Sequence, residues 1–326
     1  MKKIVIRARQ EDLSKVKDTL DNIDCIAHSQ INMKDKEAIL YVPEEMVENT
    51  ISKLISAIDF RFKENMIEVS SLDFVIARNT KEISSESKPA KVIMPVEHLI
   101  SSTRKYMRLD MGKILLTSIA SLVTLIGLLL DNSAIVIGAM LLSPLLGPIY
   151  GFAINTAVGR LKDAVKSIGF LMALLLLAFS LSAFSARLLE MFYRPHITGE
   201  ISLREMVNPI YVPMAILLGF ASLVALTNGI LESIVGVAVA VALLPPAVVS
   251  GFLVTIDMFR ALAPTVIVLQ NVLGLMSGSL IAILVLNIGP RKYYEKKTAK
   301  RYLLRMFYIL LLLISIVSVL SILYRG

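Results

Sequence analysis

Cysteine is almost absent from this chain of 326 residues: Cys25 is the only one. An intramolecular disulfide, a zinc site built on several cysteines and a CxxC redox pair are therefore excluded. Histidine is nearly as scarce, and His28, His98 and His196 show no metal-ligand spacing, so neither a metal nor a cofactor is expected. HExxH, a GxGxxG after a strand, GxxxxGK(S/T) and GxSxG are all missing, and the expectation is that the chain is not an enzyme. Its start, MKKIVIRARQEDL, runs into charge after three apolar residues. A signal peptide needs an apolar stretch of roughly 7–15 residues, so none is expected.

Charge is also sparse. Charged residues make up 18% of the chain, against about 25% in soluble domains. Apolar residues make up 56%, and the mean hydropathy is +0.71. A water-soluble core of this size cannot hide so much apolar surface, and the chain reads as a membrane protein. The formal net charge of +8 would raise the question of nucleic acid in a soluble protein, so where the charges lie matters.

They divide near Lys113. Residues 1–112 hold 18 basic and 18 acidic side chains, while residues 113–326 hold the other 16 basic and 8 acidic ones of the 34 and 26 in the chain. The neutral first part reads as alternating short strands and helices. Lys3–Ala8 is strand-like, and Glu11–Ile23 places Leu13, Val16, Leu20 and Ile23 at helical spacing. Cys25–Met33 alternates loosely and Ala38–Val42 is β-rich. Pro43, followed by two glutamates, opens a helix carrying Met46, Val47, Ile51, Leu54, Ile55 and Ile58 on one face, and Met66–Ala77 is a last strand. The order βαββαβ over residues 1–78 predicts a ferredoxin-like α+β domain. It is shared with small ligand-binding regulatory modules of the ACT type and with plain caps or oligomerisation domains. Residues 79–112 form a Ser/Lys/Glu/Pro-rich linker and an amphipathic juxtamembrane helix. That helix either lies at the membrane surface or simply leads into the bilayer.

Residues 113–326 predict an α-helical transmembrane domain of seven spans, at 113–130, 133–158, 167–187, 210–228, 233–256, 264–288 and 303–323. No Lys, Arg, Asp or Glu falls in their interiors. With the soluble domain in the cytoplasm, the inner connections hold eleven basic groups against Asp163, Glu232 and Glu295. The outer segments balance Arg187, Arg194, Arg204, Arg260 and Arg325 against Asp131, Glu190, Glu200, Glu205 and Asp257. Basic residues concentrate on the cytoplasmic side of membrane proteins, which places the chain in the plasma membrane with its N-terminus inside and its C-terminus outside. The net charge is then a topology signal, and nucleic acid is not an expected partner.

Spans one to three and four to six share ordered marks. Ala120–Leu125 (ASLVTL) matches Ala221–Leu226 (ASLVAL), Ser133 matches Ser233, and Leu141–Pro144 (LLSP) matches Leu243–Pro246 (LLPP). Gly151-Phe152 matches Gly251-Phe252, and Arg160 matches Arg260. Three spans per unit is odd, so the second copy enters the bilayer the other way round. This predicts a 3+3 inverted repeat, a design in which broken helices form a site near the midplane.

The second and fifth spans carry the prolines that would break them: Ser143-Pro144 and Gly147-Pro148 in one, Pro245-Pro246 followed by Ser250-Gly251 in the other. Each is also readable as a packing kink. The candidate path residues are Ser143, Pro144, Gly147, Pro148, Asn155, Asn228, Pro245, Pro246, Ser250 and Asn271. Asn271, next to Gln270, is the polar residue nearest a span interior. Asp131 and Glu232 take matching places at the mouths of the two broken spans, as entry charges or as solvated helix caps. Two GxxxG stretches, Gly147–Gly151 and Gly274–Gly278, suit close helix packing within the chain or between copies in a homo-oligomer.

The stretch GAMLLSPLLGPIYGFA, followed by VALLPPAVVSGF, resembles the bacterial and archaeal membrane family catalogued as domain of unknown function 389, over roughly residues 110–290. The N-terminal soluble domain is similar to that of archaeal-type members. The resemblance implies a multi-span membrane protein of uncharacterised activity and brings no site residue. The leading functional expectation is a transporter or channel-like permease for a small solute or ion. The alternative is a membrane-anchored sensor or scaffold whose cytoplasmic domain binds a ligand or partner.

Overall fold

The β-rich runs of the first part pair into one antiparallel sheet of four strands in the order β2-β3-β1-β4. These are β1 (Lys2–Arg7), β2 (His28–Asn32), β3 (Glu37–Val42) and β4 (Met66–Ser71), with α1 (Gln10–Asp21) and α2 (Val47–Ala57) between them. The computed structural model describes residues 2–21, 28–32, 36–42, 46–62, 64–71, 99, 103, 110–192, 196–290 and 293–325. It divides into two compact units, Met1–Pro95 and Val96–Gly326.

In the first unit the two-residue period of the strands turns Ile4, Ile6, Ala38, Leu40 and Val42 to one face. Leu13 and Val16 of α1 and Val47, Ile51 and Leu54 of α2 close over them. Asn65 joins the turns at one end: its Oδ1 accepts from the Arg9 amide at 3.0 Å, and its Nδ2 donates to Asp12 Oδ2 at 2.7 Å and to the Asp59 carbonyl at 2.8 Å. The Arg61 guanidinium hydrogen-bonds the Asp59 carboxylate and holds its pKa down to about 2. Cys25, His98, the linker at 79–95 and the expected strand residues after Ser71 lie outside the described residues. Of the juxtamembrane helix only Leu99, Thr103 and its last residues are described, and Leu99 and Thr103 are buried.

The second unit consists of α3 (Met111–Leu129), α4 (Ser133–Met140), α5 (Leu146–Ala157), α6 (Leu161–Glu190), α7 (Gly199–Ser202), α8 (Tyr211–Thr227), α9 (Glu232–Ile256), α10 (Leu262–Leu286) and α11 (Tyr293–Arg325). Among the described residues five helices are long and apolar enough to cross a membrane: α3, α6, α9, α10 and the Thr298–Val319 part of α11. The apolar helix α8 has 17 residues, and the expected span at 133–158 is split into α4 and α5. Leu115, Ile119, Leu122 and Ile126 of α3, like Leu312, Ile316 and Val319 of α11, point outward, as lipid-facing side chains do.

The bundle is centred on α9 and α10, whose apolar windows are 78% buried, against 17% for α11. Missing side chains let the backbones meet there. A Cβ on Gly219 would overlap the Leu275 backbone, one on Gly278 the Ile216 carbonyl and one on Gly251 the Phe179 carbonyl. The GxxxG at Gly274–Gly278 therefore packs α10 on α8 within the chain.

The fifth span is not broken, contrary to the reading of its prolines. Glu232–Ile256 is one helix with Pro245 and Pro246 inside it. Prolines at these positions deprive the Val241 and Ala242 carbonyls of their helical donors. Asn271 of α10 supplies the second of these, its Nδ2 donating to the Ala242 oxygen at 2.7 Å. A neighbouring helix thus replaces the lost bond, and the chain passes the prolines without unwinding.

Candidate functional site

The break between α4 and α5 starts where the backbone tightens. The Leu142 amide donates to the Ala139 carbonyl at 3.1 Å and the Ser143 amide to the Met140 carbonyl at 3.2 Å. Pro144 then has no N–H to continue, and a residue before proline avoids the helical region. Pro148 falls in the first turn of α5, where its missing N–H removes nothing. It does, however, leave the Pro144 carbonyl without the donor that an unbroken helix would provide. Leu145 precedes α5 without a side-chain cap, so the Leu146 and Gly147 amides have neither a cap nor an acceptor one turn back. All of α5 is buried.

Ser143 lies ten residues beyond Ser133, and Ala242 ten beyond Glu232. At 1.5 Å per residue Ala242 is about 15 Å along continuous α9, and Ser143 lies three residues beyond the end of α4. Both α4 and α5 pack on α9, and α5 also packs on α10. A Cβ on Gly236 would lie 3.9 Å from Leu146 Cβ.

Most polar side chains in the bundle bond to their own helix. Ser121 donates to the Thr117 carbonyl at 2.6 Å, Thr124 to Ala120 at 2.7 Å and Thr156 to Phe152 at 2.8 Å. A few do not. Ser143 Oγ, Asn271 Oδ1, Gln270 Oε1, Thr117 Oγ1 and Ser277 Oγ are buried without a hydrogen-bond partner in the protein. Gln270 and Asn271 are 1% and 3% exposed and Ser143 is 7% exposed.

The expected path residues therefore separate. Ser143, Pro144, Gly147 and Pro148 form the break, and Asn271 lies in α10, bonded to α9. Pro245 and Pro246 are buried inside continuous α9. Asn155 donates to the Gly151 carbonyl of its own helix at 2.7 Å. Ser250 Oγ donates to the Ala261 carbonyl at 3.2 Å and shares a bond with Thr265 Oγ1 at 2.5 Å. Asn228 is exposed at the end of α8, bonded to the Val224 carbonyl at 2.9 Å.

Asp131 and Glu232 sit at opposite ends of the bundle. Asp131 has left-handed backbone (φ 52°) just beyond α3, and its Oδ1 accepts from the Glu200 amide at 2.7 Å. Thr198 Oγ1 donates to the Leu128 carbonyl at 2.7 Å beside it. Asp131 is thus a cap that ties α3 to α7. At the same end Glu205 takes Arg260 in a two-pronged ion pair at 2.7–2.9 Å. Glu232 is exposed in the first turn of α9, where the helix dipole favours a carboxylate. At that end a cavity of about 120 Å³ opens between the ends of α5 and α10 and the flank of α11, bordered by Lys300. Among the described residues no cluster of His, Cys, Asp or Glu could hold a metal ion.

The sequence reading gave Gln270 no role of its own and passed over Thr117, Ser277 and Ser182, which donates to the Val248 carbonyl of α9 at 2.6 Å. No local signal separates an unpartnered serine or threonine from one that bonds its own helix. Gln270 did carry a signal, a second amide beside Asn271 in an apolar span.

Residues 140–277 match the family described as Domain of unknown function (DUF389), and this stretch holds the break, both prolines of α9, Gln270 and Asn271. The chain is 26% identical over 226 residues to a protein of Methanocaldococcus jannaschii named uncharacterized protein MJ0678, an alignment spanning 69% of each. No solved structure matches the chain. Over residues 140–277 the chain is thus similar to this family of unknown function.

Proposed function

We propose that this protein is a multi-pass transporter or channel-like permease for a small solute or ion, with its path at the α4–α5 break beside α9. One observation carries the reading. Ser143, Gln270 and Asn271 keep polar atoms without protein partners deep in the bundle, and each such atom costs about 1–3 kcal/mol. Water or solute in a path supplies the missing partners. Among the described residues no buried Asp, Glu, Lys or Arg occurs in the second unit, which speaks against a proton relay or voltage sensor.

The same reading takes seven spans, counting α4–α5 as one and α8 as another, with spans one to three and four to six as an inverted repeat. In its support, α5 packs on α10 and α9 packs on α6, as a two-fold exchange of the halves requires. Asp131 with Glu200 and Glu205 with Arg260 join segments that the charge pattern assigns to the outer side. The cytoplasmic placement of the first unit rests on that pattern. Its βαββαβ order and its β2-β3-β1-β4 sheet support a ferredoxin-like fold.

The test is flux. Purified protein in liposomes should move one of a panel of ions and small solutes faster than protein-free vesicles do, and Asn271→Leu should slow it. Leakage equal to that of empty vesicles across the panel would sink the proposal.

A further inference from the structure

We propose that the cavity at the inner end of the bundle holds an anionic phospholipid, with its phosphate against Arg160 and Lys300 and the first carbons of its chains among Ile283, Ile288 and Leu303. The cavity lies at the far end of α5 from the break. Its walls are the end of α5 at Ala157, the end of α10 with Gly289 beyond it, and Ala299, Lys300 and Leu303 of α11. Its volume of about 120 Å³ is room for about four water-sized groups. That is too little for a whole lipid and enough for the part where the head joins the chains.

Of the lining residues only Lys300 carries charge. A second cation stands beside it. A Cβ on Gly159 would lie 3.8 Å from Ala299 Cβ, and Arg160 and Lys300 each follow one member of that contact in the chain. Both are exposed, and among the described residues neither has an acidic partner. Asp163, in the first turn of α6, is taken by Lys166 at 3.9 Å, and Glu232 belongs to α9, which adds nothing to the wall. Because α5 and α10 both end here, the negative ends of their dipoles favour cations and oppose an anion inside the cavity. The apolar part of the ligand therefore fills the cavity, and its phosphate stays at the rim.

The level is that of lipid headgroups. The apolar Thr298–Val319 stretch of α11 has 22 residues, about 33 Å at 1.5 Å per residue, against a hydrocarbon core of about 30 Å. Lys300, near its start, stands at the edge of that core. The charge pattern assigns this end to the inner leaflet, whose anionic lipids attract basic side chains. Only 17% of the stretch is buried, and α11 packs on α10 and α5. A lipid seated between the three helices therefore bridges α11 to the bundle and stabilises it.

Lipid titration tests this. The full chain is purified in detergent, and its thermal unfolding midpoint is followed against phosphatidylglycerol, phosphatidylcholine with the same chains, or inorganic phosphate, with bound lipid counted by native mass spectrometry. Phosphatidylglycerol should raise the midpoint and stay bound, and the other two should do neither. Lys300→Gln and Arg160→Gln should each weaken its binding about fivefold, while Lys300→Arg, which keeps the charge, should bind as the parent does. Arg187→Gln, which removes the same charge at the other end of α6, should leave binding unchanged. Gly289→Leu fills the cavity: a Cβ there meets only the Ala157 carbonyl, at an ordinary 3.8 Å, so the protein should fold and lose the lipid. Protection by inorganic phosphate alone would overturn the lipid, and equal protection by phosphatidylcholine would overturn the recognition of charge. Absence of bound phosphatidylglycerol on the parent would overturn the proposal outright. Binding that survives Lys300→Gln, Arg160→Gln and Gly289→Leu would overturn the site.

Discussion

LLSP at Leu141–Pro144 and LLPP at Leu243–Pro246 differ by one residue in four, yet the first lies in a break and the second inside a continuous helix of 25 residues. The difference comes from the neighbouring helix. Asn271 of α10 donates to the carbonyl that Pro246 leaves free. Under the proposed repeat the corresponding stretch of α6 is Gly169-Phe170-Leu171, which has no polar side chain to offer. The prolines are also spaced differently. Pro245 and Pro246 disturb two adjacent carbonyls of one turn, whereas Pro144 and Pro148 disturb successive turns. A proline in a membrane helix thus makes a kink or a break according to what the adjacent helix supplies.

The comparison can be broken most severely at Gly251. A side chain there strikes the Phe179 backbone, and Gly251→Val should lower thermal stability in detergent by about 3 kcal/mol or more by forcing α9 off α6. Asn271→Leu removes the partner of the Ala242 carbonyl and should cost about 1–3 kcal/mol. Pro246→Ala gives that carbonyl an in-helix donor again. In this background the penalty of Asn271→Leu should fall to half or less, and a double-mutant cycle on thermal unfolding reads the coupling directly. Additive penalties would show that Asn271 does not stand in for the proline's lost bond. The smallest effect belongs to Ser143→Ala and Gln270→Leu. Each deletes a buried group without a protein partner, so stability should stay within about 1 kcal/mol of the parent or rise. A clear loss would mean that these groups hold the bundle together and do not serve a ligand.

Much of this fold is legible from periodicity and charge. Ile4 and Ile6, or Leu13 and Val16, declare their elements because burial follows a strand or helix period. Charge-free spans such as Leu262–Leu286 declare the membrane. Asn271 also stands out, being polar within such a span. What stays hidden depends on contacts across sequence distance. The continuity of α9 rests on a partner 29 residues beyond Ala242. The capping role of Asp131 rests on the Glu200 amide, 69 residues away. The closed state of Ser250 rests on Thr265. None of these is visible in the local pattern of Pro, Asp or Ser.

The central claim is that the break is a polar, water-reached site and that the matching proline segment of α9 is closed packing. Cys25 is the only cysteine, so a Cys25→Ser background allows single thiols to be placed at will. Ser143→Cys should react with a water-soluble thiol reagent in liposomes, and Leu244→Cys, fully buried in α9, should stay unmodified under the same conditions. Equal labelling at the two positions, or labelling at Leu244→Cys alone, would contradict the account.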